Sequence, residues 1–399
     1  MSAPVLTSGL LTEVMAQGLA YIYLQGLVDA QLEEKEVNER VADVLERKAE
    51  ELSGEDITSS AVTGHFKDHY FSPDDGVLVK WYGGGEQPTE YARLMLYVME
   101  GTARLLRQDQ VSFLRSLGSV EGLSFGEPFR GKLAIVPAIL KQAEFYEKQT
   151  VFMSPTSGPE ADLLVDPVWF AILALGFMLG FGGYYDGAYH VFTKPGLPLT
   201  LEGLSSLHTP TLSRMLEGLE LVSKLSRDVR PSPASEEVFS IQMAMGVAES
   251  GRSVSPEAFP LNLYVVEFVA NTYTVTRSLS VDLEPLVAYL NSYLGELRKL
   301  TLEVVREEPL EPLKVIVRHA VEDLTGRGVS GEPVFYLFVK DFYRAVVSRN
   351  AALLEDALLR FLRRLDVAIR NRELRAEAAQ RLMAFRSEQN VQAMLKAIA

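Results

Sequence analysis

The longest uncharged apolar run of the chain lies within Asp166-Pro-Val-Trp-Phe-Ala-Ile-Leu-Ala-Leu-Gly-Phe-Met-Leu-Gly-Phe-Gly-Gly183. An aspartate at a helix N-cap accepts a hydrogen bond from the first turn, and a proline at the first helical position has no N–H to leave unpaired. Asp166-Pro167 therefore predicts the start of a helix, which we expect to end near Gly182-Gly183.

This run predicts a core helix rather than a membrane span. Its fourteen residues, 168–181, fall short of the roughly 20 that a bilayer requires. We expect Trp169, Leu173 and Phe177 to be buried, and we expect residues 188–193 to form a strand that returns from the helix.

The segments on either side predict a fold that mixes helices and strands. The predicted helices are 9–31, 36–52, 88–116, 285–307, 334–347, 351–371 and 373–397, and the predicted strands are 76–82, 132–138 and 150–153. We therefore expect an α+β protein. A mixed α/β N-terminal part (1–160) and a central helix-strand part (161–235) precede a mainly helical C-terminal domain with a basic face (236–399).

The segment Arg230-Pro-Ser-Pro-Ala-Ser235 predicts a linker. Prolines and small polar residues favour neither a helix interior nor a central strand. The segment contains no large apolar side chain, so we expect it to be exposed.

The composition narrows the possible chemistry. The 399 residues include no cysteine, which excludes disulfides, thiolate metal sites and a cysteine nucleophile. The absence of cysteine fits a reducing compartment, and it also fits a protein from a thermophile, in which labile residues are depleted. Because the start Met1-Ser-Ala-Pro lacks the basic region of a secretory signal, we expect a cytoplasmic protein. We expect neither a metal nor another cofactor.

One segment has the GxxxxGK spacing of a phosphate-binding loop: Gly126-Glu-Pro-Phe-Arg-Gly131-Lys132. A working loop needs a Ser or Thr after the lysine and a helix that opens there. Leu133 follows instead, the next residues predict a strand, and Glu127 places a negative charge inside the loop. We interpret the match as coincidental.

The densest set of possible metal ligands is His65, Asp68, His69, Asp74 and Asp75. Two histidines at i and i+4 would share a face of a helix, as zinc ligands do. However, Gly64, Pro73 and Gly76 predict a loop, and no general-base glutamate lies between the histidines. We therefore expect solvated loop residues rather than a metal centre.

The segment Gly182-Gly-Tyr-Tyr-Asp186-Gly187, together with His190, is a candidate ligand pocket with two phenols and a carboxylate. The alternative is a turn between a buried helix and a strand, in which glycine supplies a positive φ and aspartate caps locally. No nucleophile-elbow motif accompanies the segment. The sequence favours the turn, and we expect the protein not to be an enzyme.

The strongest signal is a reversal of charge along the chain. The protein carries a net charge of −14, yet residues 340–399 hold twelve basic and seven acidic side chains. A basic end on an acidic protein is typical of a localised polyanion-binding surface. The candidate nucleic-acid-binding residues are Arg344, Arg349, Arg360, Arg363, Arg364 and Arg370.

A helical wheel for 351–371 separates these arginines from an apolar stripe of Leu354, Leu358, Phe361, Leu362, Leu365 and Ile369. Ser348 or Asn350 is the expected N-cap. Three interpretations stay open. The arginines contact nucleic-acid phosphates, they form a solvated face of ion pairs such as Asp356–Arg360 and Arg370–Glu373, or they dock on an acidic protein partner.

Two regions resemble the large subunits of archaeal type I-A CRISPR effector (Cascade) complexes. The first is the run 166–177, followed by Gly182-Gly-Tyr-Tyr and a strand. The second is Phe335-Tyr-Leu-Phe-Val-Lys-Asp-Phe-Tyr-Arg344 with Leu353-Leu-Glu-Asp-Ala-Leu-Leu-Arg360-Phe-Leu-Arg363-Arg364. Both are packing motifs without a catalytic signature. Some relatives carry a cysteine zinc module, which this chain cannot form.

The resemblance implies a non-enzymatic subunit that lies near the 5′ end of a guide RNA. Such a subunit helps read the short protospacer-adjacent motif in target duplex DNA and helps recruit the nuclease-helicase, while base pairing with the guide carries most of the sequence information. The implied partners are guide RNA, target DNA, the other effector subunits and the nuclease-helicase, and no membrane. The alternatives are a helical scaffold that docks on an acidic protein and, third, an enzyme with a site at 182–190.

Overall fold

A computed structural model describes residues 10–28, 33–62, 64–84, 87–146, 162–185, 189–194, 197–232, 235–251, 261–269, 272–299, 309–326, 333–371, 374 and 376–398. Two compact units divide the chain, one of Met1–Arg227 with Leu261–Ser280 and one of Asp228–Pro260 with Val281–Ala399. The first unit therefore includes a segment from later in the chain. The boundaries predicted at residues 160 and 235 stay predictions.

The first unit combines helices with short strands. Its helices α1 to α10 are Leu10–Ile22, Glu34–Ser53, Gly64–Phe71, Val77–Tyr82, Tyr91–Arg107, Phe113–Gly118, Ala138–Tyr146, Pro167–Gly180, Leu201–Ser205 and Thr209–Val229. One turn of π-helix, Tyr23–Leu27, follows α1. Its strands β1 to β8 are Val120–Glu121, Ser124–Phe125, Ala134–Ile135, Leu164–Val165, Phe181–Tyr185, Tyr189–Lys194, Leu261–Val269 and Thr272–Val281.

These strands form two four-stranded sheets. The first has the order β1-β2-β4-β3, with β2 and β4 parallel. The second has the order β5-β6-β7-β8, and β6 pairs antiparallel with both β5 and β7. Since His190 lies opposite Val266, the segment that begins at Leu261 completes the sheet that starts directly after α8.

The helix α8 forms the centre of the first unit. Every residue of Pro167–Gly180 is buried, and the predicted core residues Trp169, Leu173 and Phe177 are at most 2% exposed. The predicted N-cap is also confirmed, because the Asp166 side chain accepts a hydrogen bond from the Trp169 N–H at 2.8 Å. Among the described helices, none is long and apolar enough to cross a membrane.

Helices α1 and α8 cross with their backbones in direct contact. A Cβ atom on Gly18 would lie 1.9 Å from the Ile172 carbonyl oxygen, and one on Gly176 would lie 1.7 Å from the Val14 carbonyl oxygen. Real side chains never approach so closely, so only glycine is compatible with this crossing.

The second unit is built from helices around a separate core. Its helices α11 to α17 are Glu236–Ser250, Glu284–Arg298, Glu311–Leu324, Val334–Val347, Ala351–Arg370, Ala376–Phe385 and Glu388–Ile398. Buried aromatic rings of Phe338, Phe342, Phe361 and Phe385 lie in its core. The expected α+β fold with a helical C-terminal region is therefore confirmed.

The strand predicted for 76–82 is wrong, because Val77–Tyr82 forms helix α4. Val77, Leu78 and Trp81 are buried together, which matches the spacing of one helix face. Gly83, at φ 85°, ends the helix in a conformation that favours glycine. A short apolar run is ambiguous between helix and strand, and here the burial of Val77, Leu78 and Trp81 in the core accompanies the helix.

Several other predicted boundaries also differ. The helix predicted for 88–116 is interrupted after Arg107, since Asp109 adopts φ 50° and Ser112 caps a new helix. The strand predicted for 132–138 is reduced to β3, and the helix predicted for 373–397 is divided between Phe385 and Glu388. The strand predicted at 150–153 and the end of the helix predicted for 285–307 lie outside the described residues.

The expectation of an exposed linker at 230–235 is wrong for part of the segment. Pro231 is buried and Ser235 is only 7% exposed. Ser235 is the N-cap of α11, and the Ser232 N–H donates a hydrogen bond to Gln242 Oε1 at 2.8 Å. The segment therefore belongs to the start of a helix, which composition alone does not reveal.

We expect Gly176→Ala to destabilise the first unit by about 1–3 kcal/mol, because the added methyl group forces two packed backbones apart. Gly118→Ala is the matched control, since a Cβ there meets nothing within 4 Å. Both tryptophans, Trp81 and Trp169, lie in the first unit, so urea unfolding followed by tryptophan fluorescence reports its stability. Equal stability of the two variants would contradict the close crossing.

Candidate nucleic-acid interface

Helices α14 and α15 form a hairpin whose ends are capped by side chains. The Asp323 carboxylate accepts the Phe335 N–H at 2.8 Å and the Tyr336 N–H at 3.1 Å at the start of α14. In the turn between the helices, Arg349 adopts φ 50°. Asn350 Oδ1 then accepts the Leu353 N–H at 3.0 Å, so Asn350 rather than Ser348 is the N-cap of α15.

An aromatic contact joins the two helices. The rings of Phe338 on α14 and Phe361 on α15 stack with their centroids 4.3 Å apart. Four members of the predicted apolar stripe are buried, namely Leu354, Leu358, Phe361 and Leu365, while Leu362 and Ile369 are half-buried. The helical wheel therefore predicted the buried side of α15 correctly.

All six candidate arginines are exposed on this hairpin. Arg344 lies on α14 and Arg349 in the turn, while α15 carries the other four. Arg360, Arg363 and Arg364 lie on the side of α15 away from the apolar stripe. Residues that are up to 26 positions apart in the sequence therefore lie on one helical hairpin.

Arg360 differs from the other candidates because two carboxylates hold it. Its guanidinium lies 3.1 Å from Asp341 on α14 and 2.9 Å from Asp356 on α15. The Asp356–Arg360 pair expected from the sequence is therefore present, whereas the expected partner of Arg370, Glu373, lies outside the described residues. The charge of Arg360 is largely neutralised, and the residue connects the two helices.

Four candidate arginines carry unneutralised charge. Within the part of the chain that the structure describes, Arg344, Arg349, Arg363 and Arg370 form no ion pair. Two other arginines of the C-terminal region are paired, Arg386 with Asp366 at 2.8 Å and Arg381 with Glu311 and Glu377. Four of the six candidate arginines on the α14–α15 hairpin are therefore exposed cations without an ion pair among the described residues.

A groove of about 540 Å³ runs between α14 and α15. Arg360, Arg363 and Arg364 line it from α15, and the nearly buried rings of Phe338 and Phe361 lie at its floor. Its rim carries two exposed apolar side chains, Leu337 at 52% exposure and Val367 at 50%. The site is therefore basic and apolar at once.

Comparison with known families identifies the chain's relatives. Residues 25–385 match the model of the family described as CRISPR-associated protein (Cas_Csx9). The chain belongs to this family. Searches of curated proteins and of solved structures gave no significant match. Membership in Cas_Csx9 associates the chain with CRISPR defence, in agreement with the coarser part of the resemblance noted from the sequence.

The segment with phosphate-loop spacing in this Cas_Csx9 member surrounds the protein's own carboxylate. Asp166 Oδ2 accepts the Ser116 hydroxyl at 2.6 Å and the Glu127 N–H at 3.2 Å. A Cβ on Gly126, which has φ 85°, would lie 2.0 Å from that oxygen. Burial raises the pKa of Asp166 to about 6, while the donors from Ser116, Trp169 and Glu127 act in the opposite direction.

Part of the histidine cluster lies on a helix, so the predicted loop is wrong for residues 64–71, while Asp74 and Asp75 lie in the turn that follows. Gly64 opens α3, and the rings of His65 and His69 lie 6.2 Å apart on it. His69 Nε2 accepts the Ile135 N–H at 3.0 Å, and burial lowers the pKa of His69 to about 4. No group of three or more potential metal ligands occurs among the described residues.

The described residues of the 182–190 segment make contacts within their own fold. The Tyr185 hydroxyl donates to the Ser226 carbonyl at 2.7 Å. His190 is fully buried, stacks on Tyr184 at 4.5 Å, and accepts the Ser60 N–H at Nε2 at 3.3 Å. Asp186 and Gly187 lie outside the described residues. These contacts favour the turn over a ligand pocket.

Sequence reasoning missed several residues that line the groove, among them Leu337, Asp341 and Val367. A pattern exists for two of them, since Leu337 and Asp341 share a face of α14 with Arg344 at i, i+4 and i+7. The pairing of Asp341 with Arg360 depends on how two helices pack, which no pattern within one helix contains.

We expect His190 to make the first unit sensitive to acid. Burial lowers its pKa to about 3, below the value of about 6.5 in an unfolded chain, so the folded state favours neutral His190. His190 therefore costs the folded protein no stability above about pH 6.5. The free energy of unfolding decreases progressively as the pH falls from there toward 3. Between pH 7.5 and pH 5 the loss amounts to about 2 kcal/mol.

Urea unfolding at both pH values measures this effect. His190→Gln should remove that part of the pH dependence. An unchanged pH dependence in His190→Gln would show that His190 does not titrate in this range.

Proposed function

We propose that this Cas_Csx9 protein is a non-catalytic, nucleic-acid-binding subunit of a CRISPR RNA-guided surveillance complex, corresponding to the large subunit of type I-A Cascade. It contributes the exposed arginines of the α14–α15 hairpin to nucleic-acid phosphates. The observation that carries the proposal is the set of four exposed arginines without an ion pair on this hairpin, namely Arg344, Arg349, Arg363 and Arg370, on a protein whose net charge is −14.

Physical chemistry supports phosphate as the target. The guanidinium group is planar, always charged and able to donate two parallel hydrogen bonds to a phosphate. Arg363 and Arg370 are seven positions apart on α15, which places them about 10.5 Å apart along one side of the helix. The acidic remainder of the protein repels nucleic acid, so binding would be restricted to this surface.

The proposed role in defence follows from this surface and from family membership. Guide RNA would select the target by base pairing, while the protein would hold the backbone and help read the protospacer-adjacent motif in duplex DNA. Other subunits and a nuclease-helicase would be its protein partners, in the cytoplasm. The proposed role requires neither a cofactor nor a metal, since no bond is made or broken by this subunit.

One observation favours a second candidate, a helical scaffold that docks on an acidic protein. Leu337, Val347, Leu359 and Val367 are all exposed on the same hairpin. Exposed apolar groups among arginines are common in protein–protein interfaces. The two functions differ in their response to salt, because only phosphate contacts release condensed counterions.

We expect the double variant Arg363→Glu/Arg370→Glu to weaken binding to both duplex and single-stranded DNA by more than about tenfold, because each hydrogen bond to a charged group contributes about 1.5–3 kcal/mol. The slope of log K against log salt should fall by about 2. Fluorescence anisotropy over a salt series measures both quantities. Arg360 is left unchanged, since reversing it would also break the Asp341 and Asp356 contacts.

Arg93→Glu/Arg104→Glu is the matched control. It makes the same change of charge at two exposed arginines of α5, in the first unit. We expect little change in affinity and salt slope. If the α15 variant binds every DNA as the wild type does, while remaining folded by circular dichroism, the nucleic-acid role of this surface is refuted.

A further inference from the structure

We infer that the groove between α14 and α15 binds an unpaired, single-stranded segment of nucleic acid, with phosphates on its arginines and a base against Leu337 and Val367. This inference rests on the proposed function, which concerns the charge of the surface, and adds the form of nucleic acid that the groove itself accepts.

The size of the groove excludes a duplex from its interior. The groove holds about 540 Å³, which lies in the range of sites for small-molecule-sized groups. A B-form duplex is much larger, since its major groove alone is about 12 Å wide and 8.5 Å deep. A duplex can therefore lie across the hairpin, but only an unpaired nucleotide can enter the groove.

The apolar rim gives a reason for the groove to bind a base. Among the described residues, nine large apolar side chains are exposed, and four of them lie on this hairpin. Of these four, Leu337 and Val367 line the groove, while Val347 and Leu359 do not. A duplex presents sugar and phosphate to such a surface and keeps its base faces stacked inside, whereas a single strand exposes them.

The arrangement of charge also matches a strand that lies along the groove. Arg360, Arg364 and Val367 follow one another at i, i+4 and i+7 on α15, so they form a line along the groove. Because Asp341 and Asp356 fix Arg360, the carboxylate of Asp341 on the opposite wall is covered by a cation. A phosphate in the groove therefore meets the charge of Arg363 and no uncovered acidic wall.

An acidic amphipathic helix fits the groove less well. Such a helix binds through apolar anchors at i, i+3 or i+4 and i+7 along its length. The groove offers two exposed apolar side chains, and its volume of about 540 Å³ lies in the range of sites for small-molecule-sized groups such as a nucleotide. The dimensions favour one or two bases over a helix.

The test compares two pairs of serine substitutions on the same hairpin. Leu337→Ser/Val367→Ser removes the apolar lining of the groove, and Val347→Ser/Leu359→Ser removes exposed apolar groups outside it. The probes are fluorescent oligothymidylate of about 20 nucleotides and a duplex of the same length. Binding is measured by anisotropy at one salt concentration, and circular dichroism verifies folding.

We expect the groove variant to bind oligothymidylate about tenfold more weakly, because the two substitutions remove apolar side chains that a base would cover from water. Its affinity for the duplex and its salt slope should stay unchanged. The control pair should bind both probes as the wild type does. This pattern would support the inference, since it separates the apolar contribution from the charge.

Three results would overturn the inference. One is an unchanged affinity of the groove variant for oligothymidylate, and another is an equal loss on both probes. The third is displacement of oligothymidylate from the wild type by a polyglutamate peptide containing leucines, with binding of that peptide lost in the groove variant. The proposed function is tested separately, since it fails only if Arg363→Glu/Arg370→Glu leaves binding of both probes unchanged.

Discussion

The first unit depends on one contact, the crossing of α1 and α8 at Gly18 and Gly176. Because no side chain separates the two helices, each backbone forms part of the other's surface. Hydrogen bonds join both helices to β6 of the second sheet. The Gln17 amide donates to the Thr193 carbonyl, and the Thr193 hydroxyl donates to the Gly180 carbonyl. The position of β6 relative to the core is therefore set by polar contacts to both α1 and α8.

In the second unit, a basic face lies on the same helix as residues of an apolar core. On α15 the apolar residues face the core and most arginines face away. Acidic side chains then neutralise selected arginines: Asp341 and Asp356 bind Arg360, and Asp366 binds Arg386. Arg344, Arg349, Arg363 and Arg370 have no ion pair among the described residues, so the hairpin has both internal ion pairs and exposed positive charge.

The sequence predicted those features that depend on local chemistry. Asp166-Pro167 specified the start of α8, and the wheel of 351–371 separated core from surface correctly. It failed where the result depends on tertiary contacts. Nothing local distinguishes a helix from a strand at 76–82, and nothing on α15 alone indicates that Asp341 would cross to Arg360. The groove could not be predicted from the sequence for the same reason, because its walls belong to two helices whose packing creates it.

The insertion of β7 into the first unit affects how the protein is made. Strand β6 pairs with β7, but the intervening residues include α11, which belongs to the other unit. On the ribosome, the chain grows at about 5–20 residues per second, so β6 waits several seconds for its neighbour. During that interval the nascent sheet presents an unpaired edge, which is a template for wrong pairing. The greatest risk of misassembly therefore falls during translation, before the finished sheet covers that edge.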